Sequence, residues 1–293
     1  MSASLSQVVA FYERKTDQIL QRYGPGPRVH YHTGLAQRLE TCAADSSELR
    51  QLLIASQERL LSYAAAKWRI EFVRGQEFLD VGCGLGGGAL FWAQEFGARV
   101  TALTIIPSHA ELVRQFAIEA RVEKQVTTMI CDAAEVTGER LFDSIMAIDS
   151  SSSFPRSAWF RRAFALLRPG GKLFIADCFL REPEYEAAFN SHWCAQIGTV
   201  TEYLDAAHAA GLRLASFEDV SPQAENFWSL SIALMAAQKE HGKAERTASA
   251  PGRDSQVMHS MVRRGLATGG LRHLLLSFVK CDNWSLETRA DSA

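Results

Sequence analysis

Two short stretches of the chain concentrate residue types able to do chemistry. In FLDVGCGLGGGALFWA a strand-like run, Phe78 to Val81, ends in Gly82, Gly84, Gly86, Gly87 and Gly88 as an apolar helix begins. Glycines there let the backbone approach a ligand and turn the first helical N–H groups toward it. A bare GxGxxG pattern carries little, but Asp80 two positions ahead of it and the absence of a P-loop lysine make this one more specific. In GPGPRVHYHTG, residues 24–34, a Gly/Pro turn that cannot continue a helix bears Arg28, His30, Tyr31 and His32, side chains that bind anions, cations or metals. A further acid, Asp149, closes the apolar run FDSIMAID, where the end of a parallel strand faces a ligand crevice.

The elements that must position these residues follow from periodicity. The first 75 residues read as helices: SLSQVVAFYERKTDQILQRY places Val8, Phe11, Ile19 and Leu20 near one face, and SSELRQLLIASQERLLSYAAAKW repeats apolar positions at three and four. From residue 77 short apolar strands alternate with amphipathic helices through KLFIADCFL, the pattern of βαβ units and a parallel sheet. TEYLDAAHAAGLRLASFEDV adds a helix and a strand, GKAERTASAPGR (242–253) reads as a mobile surface loop, and LRHLLLSFVK as a final strand. The expected layout is an α/β, doubly wound, mainly parallel seven-stranded sheet. A helical N-terminal cap covers 1–75, and a catalytic unit covers 76–293 with a helical lid insertion at about 183–241.

Composition narrows the partners. Of 293 residues 47% are hydrophobic, enough for a large α/β core, and 31 basic against 33 acidic residues leave a net charge of −2. No global basic field draws such a chain to nucleic acid or an anionic membrane, so a small-molecule partner is expected. The six cysteines, Cys42, Cys83, Cys131, Cys178, Cys194 and Cys281, lack CxxC spacing. With no signal-like N-terminus and no apolar run of about 18 residues, they fit a cytoplasmic protein with no membrane span. His30 and His32, two apart on an irregular segment without Cys or Glu at metal spacing, give no certain metal site. A homo-oligomer is compatible with the sequence.

The order and spacing of DxGxGxG, CDAAEV and LRPGGKL over residues 76 to 180 resemble the class I S-adenosylmethionine-dependent methyltransferases, with a Rossmann-like fold. A nicotinamide dehydrogenase is the competing owner of the glycine pattern. The resemblance implies that Asp80, Gly82, Gly84 and Gly86 serve the cofactor and that Asp132, with Ala133, meets its adenine. The usual acid after the second strand is replaced by Thr104 or Ile105. Cyclopropane-synthase, sterol and prenyl diphosphate C-methyltransferases are similar in this, so the departure narrows the subfamily.

Within that group the chain most resembles the geranyl diphosphate C-methyltransferases, through AIDSSSSFPRSAWFRRAFALLRPGG, VSPQAENFWSLSIAL and the HYHTG cap. The resemblance implies methyl transfer to an alkene carbon of an isopentenyl, geranyl or farnesyl type diphosphate. Asp149 would act as base or cation stabiliser, with Tyr31 and His32 closing the site. Arg28, His30, Phe154, Trp193, Phe227 and Trp228 would contact the acceptor, and Mg²⁺ would bridge its diphosphate; Arg161, Arg162 and Arg181 are further candidates for that head, and Trp159 for the isoprenoid pocket. An N- or O-methyltransferase of another small natural product, with His30, His32 or His192 as base, is the alternative; a non-catalytic cofactor-binding protein is a third.

Overall fold

The computed structural model describes residues 5–38, 45–71, 74–241 and 251–281. Two helices come first, α1 (Leu5–Tyr23) and α2 (Ser46–Trp68). Asp45 opens α2: its carboxylate accepts hydrogen bonds from the amides of Ser47 (2.8 Å) and Glu48 (2.9 Å), satisfying two helix-start donors. The alternating part follows as β1 (Glu77–Val81), α3 (Gly87–Phe96), β2 (Arg99–Thr104), α4 (Pro107–Glu119), β3 (Val126–Ile130), β4 (Phe142–Ile148), α5 (Arg156–Leu166) and β5 (Leu167–Leu180). The chain then runs through α6 (Glu186–Trp193), α7 (Val200–Ala209), β6 (Leu212–Asp219), α8 (Ser221–His241), α9 (Pro251–Thr268) and β7 (Leu271–Lys280).

The strands form one seven-stranded sheet in the order β3-β2-β1-β4-β5-β7-β6. Pairing is parallel from β3 through β5, and β7 runs antiparallel to both β5 and β6. This is the doubly wound, mainly parallel sheet expected from the alternation. Strand order reverses between β1 and β4, so the crevice lies beyond their carboxyl ends. The two ends touch: Ser150 Oγ donates to the Val81 carbonyl at 2.6 Å, and a Cβ on Gly82 (φ +72°) would stand 2.6 Å from Ser150 Cβ. Only glycine fits there.

One apolar layer packs α2, α3, α4 and α8 on a sheet face, through residues such as Leu53, Trp92, Val113 and Phe227. A second packs α5 and α7 on the other face, through Trp159, Phe160 and Tyr203. Trp68, at the end of α2, stacks on Phe174 of β5 with ring centroids 4.8 Å apart. The helical region ahead of residue 76 thus contributes α2 to the main core, while α1 brings Leu5, Val8 and Tyr12 to the crevice.

Three sequence expectations change. The stretch at 183–241 is not wholly a helical lid, since it contains α7 in the outer layer and β6 at the sheet edge. Of the loop expected at 242–253, residues 242–250 lie outside the described residues, as does Cys42, and Pro251 to Arg253 open α9. Helix α9 itself was not expected because its start, PGRDS, carries loop-type residues. It buries His259, Val262 and Leu266, spaced three and four apart, on one face.

Trp68→Ala is expected to cost about 3–5 kcal/mol in urea unfolding, the range for losing a buried large aromatic. A cost below about 1 kcal/mol would mean that α2 unfolds independently of the sheet.

Candidate active site

A cavity of about 340 Å³ opens at the crevice. From the β1 to β3 side it is lined by Gly82, Gly84, Thr104, Ile105, Asp132 and Ala133. From the β5 and β7 side come Asp177 and His273, with Phe189, Trp193, Phe227 and Trp228 supplied by α6 and α8. Asp149, Ser150 and Phe154 line it after β4, and Tyr31, His32 and Thr33 of the HYHTG segment complete the wall. Asp149 is held at φ +47°, left-handed backbone that a non-glycine residue rarely adopts, and its N–H donates to the Ala176 carbonyl at 2.7 Å.

The HYHTG segment is tied to this acid. The amide of Thr33 donates to Asp149 Oδ2 at 2.5 Å. Its side of the crevice is braced from behind by a chain of polar contacts: Arg28 donates to Glu58, Glu58 Oε1 lies 2.6 Å from His30 Nε2, His30 Nδ1 lies 3.2 Å from His32 Nε2, and His32 Nδ1 donates to the Thr33 carbonyl at 2.7 Å. Burial, then the neighbouring His30, lowers His32 to about 4, so His32 is neutral at pH 7 with its Nε2 lone pair facing His30. Burial raises Glu58, but hydrogen bonds from His30 and Arg28 outweigh it and bring the carboxyl down to about 2. The segment also rests on the glycine helix, because a Cβ on Gly87 would meet the Val29 carbonyl oxygen at 2.5 Å.

Asp177 is fully buried beside Asp149. Burial first, then the Asp149 charge, pushes it up to about 7, even though Ser151 Oγ (2.5 Å), the Ser152 amide (3.1 Å) and the Cys178 amide (2.8 Å) all donate to it. Tyr203 extends this network, its hydroxyl 3.1 Å from Ser151 Oγ. On the other side, Asp149 Oδ1 and His273 Nε2 stand 3.7 Å apart, both buried and neither in a hydrogen bond among the described residues. Burial lowers His273, opposed by the fields of Asp149 and Asp219. Two unpartnered polar atoms on a cavity wall form a place where a proton or a polar ligand atom can be held.

Several expected site residues stand elsewhere. Asp80 does not line the cavity; it lies buried under the start of α3, bonded to the Ala89 amide, and burial raises it to about 7. Gly86 lies off the wall too, and a Cβ on it would strike Val113 of α4. Arg28 is outside the cavity, paired with Glu58 and Glu95 and lying over the Phe91 ring, and His30 stands behind His32. Arg161 and Arg181 are exposed and Arg162 donates to the Gly138 carbonyl, so no arginine lines the wall among the described residues. Trp159 is buried behind Phe154. The sequence reading missed Asp177 and His273, although each was visible as an ionisable residue within a largely apolar strand, KLFIADCFL and LRHLLLSFVK. Among the described residues no helix is long and apolar enough to cross a membrane.

Over 115 residues the chain is 34% identical to erythromycin 3''-O-methyltransferase of Saccharopolyspora erythraea, a match covering 37% of this chain and 38% of that protein. It spans between about one fifth and three fifths of the length of the curated relatives it matches. Its fold is similar to geranyl diphosphate C-methyltransferase from Streptomyces coelicolor A3(2), with TM-score 0.81, 15% identity and coverage of 96% and 99% of the two chains. It is also similar to the cyclase SpnF, with TM-score 0.74, 22% identity and coverage of 96% and 98%. At these identities the likeness is one of fold. Residues 28–228, more than half of the chain, match the family described as mycolic acid cyclopropane synthetase, and the chain belongs to that family.

Proposed function

We propose that the chain is an S-adenosylmethionine-dependent methyltransferase acting on an alkene carbon of a prenyl diphosphate of the isopentenyl, geranyl or farnesyl type. One observation carries the reading: a single cavity joins the glycine turn to an unpartnered buried carboxylate oxygen, Asp149 Oδ1, between aromatic walls that bear no Lys or Arg among the described residues. The glycine end fits the cofactor, since a Cβ on Gly84 would meet nothing within 4 Å and the turn leaves room for a ligand at its backbone. Gly82 and Gly84 would hold it with Thr104, Asp132 and Ala133. When bound, it supplies a methyl group on a positively charged sulfur, and an alkene that takes that methyl is left with positive charge on carbon.

The chain's own residues then do three things. Tyr31, Phe154, Trp193 and Trp228 line the pocket, where aromatic π faces stabilise a developing cation. Asp149 opposes the charge electrostatically, and its Oδ1 takes the proton that the acceptor carbon loses, with His273 Nε2 at 3.7 Å to share it. Thr33, donating to Oδ2, orients the carboxylate and shuts the crevice with Tyr31 and His32. A second reading, O-methylation of a small natural product, draws on the likeness to erythromycin 3''-O-methyltransferase and on His273, whose bare Nε2 suits the proton of a hydroxyl.

The test incubates the full chain with labelled cofactor and the three prenyl diphosphates, beside a panel of phenols and amines. Label in a prenyl product supports the reading; label only in the phenols moves the function to O-methylation. A folded sample that does not bind S-adenosylmethionine in calorimetry would leave neither enzyme reading standing.

Asp149→Asn should lower kcat by a factor of about 100 or more, since it removes the proton acceptor while a side-chain oxygen remains for Thr33. Turnover within about threefold of the unchanged enzyme, under roughly 0.7 kcal/mol of barrier, would remove Asp149 as the base. A pH test addresses Asp177, whose folded pKa of about 7 lies above its ordinary 3.8. The folded state binds that proton more tightly, so the linked stability is full below about pH 4 and lost as pH rises to about 7. The melting temperature of the unchanged protein should therefore fall, relative to Asp177→Asn, across that interval. A constant difference between the two would show that Asp177 takes up no extra proton on folding.

A further inference from the structure

A second recess of about 300 Å³ adjoins the main cavity and shares Ile19, Tyr23, Tyr31 and His259 with it. Its floor is one face of α1, where Lys15, Gln18 and Arg22 recur at helical spacing, and its other walls include His192 of α6 and His259 of α9. No Asp or Glu stands among its described lining residues. Neither Lys15 nor Arg22 makes an ion pair among the described residues; the Lys15 ammonium lies 4.2 Å from the centroid of the Phe11 ring.

This is an unusual place for cations. Burial lowers Lys15 to about 8, and burial followed by the positive fields of Arg22, His192 and Lys15 drives His259 down to about 3. The fields show that the basic groups converge on one space. Cations drawn partly out of water without an acid cost free energy that a bound anion returns, and Lys and Arg are the residues that pair with phosphate oxygens. From the sequence, Arg28, Arg161, Arg162, Arg181 and a bridging Mg²⁺ were the candidates for the acceptor's head. Arg28 is consumed by Glu58 and Glu95.

We propose that this recess holds the phosphate-class oxyanion at the head of the acceptor, paired with Lys15 and Arg22, while the apolar tail passes Tyr31 into the aromatic cavity. The inference rests on the proposed reading of that cavity as the acceptor pocket. It explains why the main cavity needs no arginine, and it fixes the orientation of the acceptor, head toward α1 and α9 and reacting carbon toward Asp149.

Calorimetric titration of the full chain with inorganic pyrophosphate, in the presence of S-adenosylhomocysteine, tests the head alone and needs no turnover. The unchanged protein should bind it, and the double variant Lys15→Gln with Arg22→Gln should bind it at least about tenfold more weakly, the scale of losing charge-assisted contacts. Each single variant should lose part of that affinity. The S-adenosylhomocysteine affinity, within about threefold in all variants, reports that the fold is intact. The KM for geranyl diphosphate should rise in step. No pyrophosphate binding by the unchanged protein, or equal binding by the double variant, overturns the inference, even if prenyl diphosphates are methylated. Variant-sensitive pyrophosphate binding without any prenyl diphosphate turnover supports the recess and overturns instead the choice of acceptor.

Discussion

Two carboxyl groups meet at the crevice, Asp177 buried and Asp149 half-buried, and burial together with the Asp149 field disfavours ionising Asp177. Three donors to Asp177 favour its charge, yet burial and the Asp149 field prevail and hold its proton to near neutrality. Asp149 differs in its contacts, with the Thr33 amide on one oxygen and the other without a hydrogen-bond partner among the described residues. Much of the surrounding architecture maintains this arrangement: the left-handed backbone at residue 149, the Ser150 bond to the end of β1, and the serines between the two acids.

The segment that closes the crevice is positioned from behind. Arg28, Glu58, His30 and His32 form one continuous polar chain from α2 to the Thr33 peptide. Its role is geometric, because none of its first three members reaches the cavity. Tyr31 is the member of the segment that stands on both the aromatic cavity and the adjoining basic recess, so movement of this one segment would alter both spaces together.

Legibility differed by the kind of interaction. Strands β1, β4 and β5 were readable because a parallel sheet buried on both faces demands apolar runs, and the glycine turn because Gly82 has no room for a Cβ. Helix α9 was not, since its polar face and Pro/Gly start imitate a loop while its buried stripe only acquires meaning against α8. Asp80 and Arg28 carry motif-like positions, but packing under α3 and pairing with two glutamates give them supporting places.

By itself the sequence determined the α/β alternation, the glycine turn after the first strand and the acid at the end of the fourth. These are local matters, set by side-chain period and by backbone freedom within a few residues. Tertiary structure alone decided which polar groups share one buried space: Asp177 and His273 beside Asp149, the HYHTG amide on its carboxylate, and Lys15 and Arg22 gathered with His259. Proton affinity and ion pairing depend on burial and on neighbours distant in the chain, and no spacing along the sequence encodes those distances.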